Sequence, residues 1–343
     1  MPASRMKSWW SEVTRRAPIG RRGSAPPLLA KVESAQRIFG RLSRKHELAA
    51  AARAQVPPHM EPAFRRYVGW LMRQGYEFGS CEEPPLRFDC RRIYLRYDVH
   101  IRDLFGAFVL ADLHERLQIP GSFQLCWEHT RSEAEVSDIF LKLQAFDGRF
   151  VQFGLHCSPE TSWLIADRFG GRAEGLDAFV SEGGSRGLMA GWLAAYEENG
   201  HDAPVLAAAR DRAEDCLAET AASFRRHFGA VATISGHGTP LAADYLDAAR
   251  AEPRLTALAP YLHSVEFLDA GRVRRHGFDC ELTRFDGDRR PGPVMMFENP
   301  VGDMAERYAQ RIAGGGGFVA LFHPATWAGD QLSPFLDALP EAG

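Results

Sequence analysis

Side chains that bind metals or move protons recur just beyond short apolar runs of this chain. Asp98 and His100 follow the run 93–97, Glu128 and His129 follow 122–127, His156 follows 151–155, His237 follows 231–235, Glu298 follows 294–297 and His323 follows 318–322. Where strands lie parallel, their C-terminal ends share one face of the sheet, so residues placed this way meet although the chain separates them. Four of the twelve histidines, His100, His156, His237 and His323, would then gather beside Asp98. Neutral imidazole and carboxylate are ligands for zinc and similar divalent ions, and a catalytic zinc takes three protein ligands while keeping one position for water. Such an ion acidifies its water and polarises a carbonyl, a nearby carboxylate accepts the water's proton, and a histidine protonates the departing amine. The constellation has a member for each role, and the chemistry it suits is amide hydrolysis.

The elements that must bring these residues together can be read from periodicity. Seven runs of strand length (93–97, 122–127, 151–155, 231–235, 264–268, 294–297 and 318–322) alternate with stretches of helical composition, notably 106–117 and 205–227. That alternation predicts parallel βα units and not an antiparallel sandwich. Upstream, Phe64, Tyr67, Val68, Leu71 and Met72 form the apolar stripe of an amphipathic helix stopped by Gly75. Val56-Pro57-Pro58 reads as a linker, which sets the expected organisation: 1–56 a basic, partly helical or disordered extension, and 57–343 the folded domain.

Composition narrows the classes. The chain has 343 residues, 45% of them apolar and 25% charged, with 32 glycines and 21 prolines, which describes a globular protein and excludes collagen-like or largely disordered chains. Apolar runs reach about five residues, against the roughly 20 of a membrane-spanning helix. Residues 1–56 carry twelve Lys or Arg against three acids, a balance of +9 that leaves −12 for the remainder of a chain whose net charge is −3. An arm of that kind can touch an anionic leaflet, whereas the acidic remainder opposes nucleic-acid binding. The arm lacks the apolar core of a secretory signal, and six cysteines are spread without a C-x-x-C pair, so free thiols and a cytoplasmic location are expected. No G-x-S-x-G elbow, G-x-G-x-x-G turn or P-loop follows a strand, and Cys157 is a candidate nucleophile only through its adjacency to His156.

Leu95-Arg96-Tyr97-Asp98-Val99-His100 resembles the Leu-Arg-His-Asp-Val-Asp segment that opens one branch of the polysaccharide deacetylase-like family. The likeness extends to Gln74-Gly75-Tyr76-Glu77-Phe78 and to Leu117-Gln118-Ile119-Pro120-Gly121-Ser122-Phe123. It continues through Phe153-Gly154-Leu155-His156, Ser235-Gly236-His237-Gly238 and Leu321-Phe322-His323-Pro324 with Trp327, so that it covers about residues 61–327. The resemblance implies a partly open (β/α)7 barrel that uses one divalent metal ion, zinc being the first candidate. The implied reaction removes an N-acyl group, usually N-acetyl, from a small saccharide or sugar conjugate.

By the same resemblance Asp98 is the general base, His323 the general acid and His156 a metal ligand. His100 stands where the branch has a metal-binding Asp, a swap that removes one negative charge from the ligand set. Glu160 occupies the place of a second ligand histidine and either ligates through oxygen or serves as a first-turn acid behind Ser158 and Pro159. His237 is a substrate contact, a third ligand or a structural member of its Gly-His-Gly turn, and Trp327 is expected on the substrate side. Ser235 stands where the family has an arginine that braces the base. An unbraced Asp98 would be poorly poised, which suggests as an alternative a catalytically reduced barrel that binds a glycan or a protein partner.

Overall fold

The computed structural model describes residues 28–83, 86–100, 103–127, 134–157, 203–236, 274–281, 294–296, 310–329 and 336–337. Eight strands lie in these segments: β1 Glu77–Gly79, β2 Arg92–Val99, β3 Gly121–Cys126, β4 Val151–Cys157, β5 Thr233–Gly236, β6 Cys280–Glu281, β7 Val294–Met296 and β8 Phe318–Phe322. Seven helices accompany them: α1 Leu28–Phe39, α2 Lys45–Arg53, α3 Met60–Arg73, α4 Leu104–Leu117, α5 Ala134–Lys142, α6 Ala203–Phe228 and the short α7 Pro324–Ala328. Every strand pair is parallel, in the order β6-β5-β4-β3-β2-β8-β7, with β1 beside the first half of β2. Read from β2, the order runs through β3, β4, β5 and β6 on one side and through β8 and β7 on the other. The last strand therefore sits against β2, as barrel closure requires, and the sheet curls into a half-barrel.

Six of the seven expected strands fall within one or two residues of these; the seventh, 264–268, lies outside the described residues. β1 and β6 have only three and two residues, too short to leave a periodic signal.

Side chains alternate across each strand, and the two faces have different chemistry. Ile93, Leu95, Tyr97 and Val99 of β2, Phe123 and Leu125 of β3, Phe153 and Leu155 of β4, and Phe318, Ala320 and Phe322 of β8 join the main hydrophobic core beneath the helices. Phe39 of α1 lies 4.5 Å, ring centre to ring centre, from Phe108 of α4, and Phe64 of α3 lies 5.2 Å from Trp327. Ala35, Phe39, Leu48, Ala49 and Ala52 are buried in this same core, so the core draws on residues on both sides of the expected linker at 56–58. Within it Tyr97 Oη donates to His114 Nε2 at 2.9 Å, and His114 Nδ1 donates to the Ile119 carbonyl at 2.7 Å. Burial lowers the His114 pKa to about 4, which keeps the ring neutral and this tautomer fixed.

The opposite face begins apolar and becomes polar toward the strand C-termini. At its base Tyr94, Val319, Leu321 and Cys81 form a separate small cluster. Above it the register aligns Arg96, Ser122 and Gln152, then Asp98, Gln124 and Gly154. Gln124 Nε2 reaches Ser122 Oγ at 2.7 Å and, across β4, Thr233 Oγ1 at 2.9 Å. The amide crosses directly over Gly154, where a Cβ would come within 2.1 Å of Gln124 Nε2. Glu82 closes this layer from below: its carboxylate accepts from the Ala232 N–H at 2.8 Å and from the Thr233 hydroxyl, and burial raises its pKa.

Candidate functional site

The site grows from the C-terminal ends of β2, β4, β5 and β8. Asp98 is the last residue of β2 but one and points to the polar face, as does Arg96 two positions earlier. Arg96 Nε donates to Asp98 Oδ1 at 2.8 Å and its Nη2 donates to Oδ2 at 2.7 Å, a bidentate pair with both side chains buried. The expectation of an unbraced base is therefore corrected. The guanidinium sits on the same strand as the carboxylate, because alternate residues of a strand share a face, and Ser235 leaves no gap in the bracing.

Ser235 has a different task. Its hydroxyl lies 2.9 Å from His156 Nδ1. A proton on Nδ1, donated to Ser235, leaves the Nε2 lone pair of His156 facing the site, where it lies 3.7 Å from Asp98 Oδ2. His100, just past β2, and His323, just past β8, bring their Nε2 atoms to 3.1 Å although they lie 223 positions apart in sequence. Their rings stack with centres 5.0 Å apart, and the His156 ring meets His100 edge-on at 5.3 Å. The His100–His323 contact requires one Nε2 to carry a proton and the other to offer a lone pair. Asp98, His100, His156 and His323 are all less than a tenth exposed.

The structure thus brings together four of the seven expected site residues. Trp327 is fully buried among Phe64, Tyr67 and Phe322 on the helix side of the sheet, so its expected place against a substrate is corrected to a place in the core. The reason is register: β8 presents His323 to the polar face, and the turn into α7 carries Trp327 back over the apolar one. Glu160 and His237 lie outside the described residues, as do Glu128, His129 and Glu298. Asp103 was not singled out by its sequence context. Its carboxylate accepts from the backbone N–H groups of His100 at 3.2 Å and Ala325 at 3.1 Å.

Three imidazoles and a carboxylate in one buried cluster are the donor types that zinc takes. Among the described residues no three His, Cys, Asp or Glu side chains are arranged to hold an ion together. The described donors therefore fit a metal in kind and supply part of a ligand set, which a residue outside those segments would have to complete. Also among the described residues, no helix is long and apolar enough to cross a membrane, and Cys90 is a free thiol. Comparison of the chain with protein-family models, curated proteins and solved structures gave no match.

Proposed function

We propose that this chain is a metal-dependent hydrolase that removes an N-acyl group, acetyl in the first instance, from a small saccharide or sugar conjugate. In this reading the half-barrel is the described part of a (β/α)7 barrel of the polysaccharide deacetylase type. The observation that carries it is the buried convergence of Asp98, His100, His156 and His323 at the C-terminal rim, with Asp98 clamped by Arg96. His100 and His156 would hold the metal, with Glu160 the expected third ligand. When bound, the ion supplies an acidified water and a polarised acyl carbonyl.

The remaining work belongs to the chain's own residues. Asp98 accepts a proton on Oδ2, the oxygen turned toward His156, while Arg96 holds the carboxylate plane still. Ser235 fixes the His156 tautomer so that Nε2 presents its lone pair. His323, freed from its contact with His100 once that imidazole ligates, would deliver a proton from Nε2 to the departing amine. The wall below these groups, built from Gln124, Thr233 and Ser122, keeps the base of the site hydrogen-bonded and filled.

The glycan-binding alternative drew its motive from an unbraced base and from the changed ligands at His100 and Glu160, and Arg96 removes the first of these. The test is acetate release from a panel of N-acetylated saccharides and nucleotide-linked sugars, with zinc, cobalt or iron(II) supplied. The reading predicts release that falls about 10²- to 10⁴-fold in Asp98→Asn and in His156→Ala. Metal-supplied protein that releases no acetate from any member of the panel overturns it.

A further inference from the structure

We infer that the first turn of α4, through Asp103 and Gly106, is the device that sets the His100–His323 contact. Asp103 is 2% exposed and stands at the N-cap of α4, yet its side chain makes no capping bond to that helix. An N-cap aspartate ordinarily accepts from the amides of its own first turn. Here each carboxylate oxygen is committed elsewhere: Oδ2 accepts from the backbone N–H of His100 at 3.2 Å and Oδ1 from that of Ala325, two residues beyond His323, at 3.1 Å. The Asp103 amide returns a bond to the His100 carbonyl at 2.9 Å. A single buried carboxylate therefore ties the segment after β2 to the segment after β8.

Gly106 makes the same connection by contact. A Cβ at this position would lie 3.0 Å from Pro324 Cβ and 3.1 Å from the Pro324 carbonyl oxygen, tighter than side chains ordinarily pack. The missing Cβ lets α4 press directly on the residue that follows His323. Two independent features of one helical turn thus fix the backbones that carry the two imidazoles, whose Nε2 atoms meet at 3.1 Å. Asp103 and Gly106 touch neither imidazole, so their role is positioning. Their effect on turnover rests on the hydrolase reading above; the effect on imidazole geometry does not.

The experiment is ¹⁵N NMR of the imidazoles in full-length, histidine-labelled protein, with resonances assigned from His100→Gln and His323→Gln, read beside the thermal midpoint. Asp103→Asn keeps one acceptor oxygen and turns an amide NH₂ toward the other N–H, while Asp103→Ala removes both acceptors. Both are expected to shift the Nε2 signals of His100 and His323 together while leaving the His114 signals in place. Gly106→Ala is expected to shift the Nε2 signals of both partners of the shared bond, His323 the more strongly. Leu113→Ala, a core variant on the same helix, lowers the midpoint without moving either pair of signals. If Asp103→Ala fails to fold, Asp103→Asn and Gly106→Ala carry the test. Unmoved His100 and His323 signals in folded Asp103→Asn and Gly106→Ala overturn the inference. With the wild-type enzyme active, Asp103→Asn lowers kcat about 10- to 100-fold at unchanged KM. Absence of wild-type turnover would count against the hydrolase reading and leave the spectroscopic result to decide the role of Asp103.

Discussion

Arg96 and Asp98 form a pair in which neither charge has access to water, and such pairs respond asymmetrically to substitution. Arg96→Ala leaves a carboxylate buried without its partner and should destabilise the fold by about 3–5 kcal/mol, measured by urea denaturation. Arg96→Lys keeps the charge but not the planar two-point fork, so it should fold better than Arg96→Ala while still losing turnover through a carboxylate free to rotate. A wild-type midpoint in Arg96→Ala would contradict the clamp. Asp98 and its histidines are legible in the sequence because each follows an apolar run, a position with meaning in any parallel sheet. The clamp is hidden behind the resemblance, which puts the bracing arginine in the distant turn at Ser235, although the alternation of β2 places residues 96 and 98 on one face. Asp103 was harder to see. Its partners are backbone amides, which have no side-chain identity to form a motif.

At the scale of single elements, the polar face depends on how closely β3, β4 and β5 can exchange side chains across the middle strand. Gln124 bonds Thr233 over Gly154, so Gly154→Ala must displace the amide or the hydroxyl, with a Cβ only 2.1 and 2.3 Å from Gln124 Nε2 and Thr233 Oγ1. The substitution should cost about 1–3 kcal/mol of stability, measured by thermal or urea unfolding, and should disturb the layer on which Asp98 rests. A neutral effect would mean that this layer repacks freely. The strands themselves were legible, since β2, β3, β4, β7 and β8 all begin and end within two residues of the apolar runs. The polar inner face was legible too in the alternation of Arg96 with Asp98, Ser122 with Gln124, and Thr233 with Ser235. It was obscured because runs chosen for apolar content draw attention to the face that packs on the helices.

For the molecule as a whole, the charge of residues 1–56 concealed their part in the fold. Twelve basic residues suggested a solvated arm, yet Phe39, Leu48, Ala49 and Ala52 are fully buried in the main core. Phe39→Ala should therefore destabilise the protein by about 3–5 kcal/mol in urea unfolding, as a core aromatic does and an arm residue does not. Stability should also depend on His114. Its pKa of about 4 in the fold lies below the value of 6.5 expected of an unfolded chain, so the unfolded state binds more protons between these limits. Its contribution is fully present above about pH 6.5, and about 3 kcal/mol of it is lost as pH falls toward 4. Comparing unfolding free energies of the wild type and His114→Gln at pH 7 and pH 4.5 isolates this effect, and parallel losses in both proteins would contradict it.

The central claim, that distant imidazoles and Asp98 make one metal-dependent hydrolytic site, is tested most directly by anomalous diffraction at the zinc edge from a zinc-soaked crystal. The account predicts a peak bonded to His100 and His156 beside the Arg96-clamped Asp98, and the peak would name the remaining ligand. A crystal that takes up zinc elsewhere on its surface but shows no peak at this cluster would contradict it.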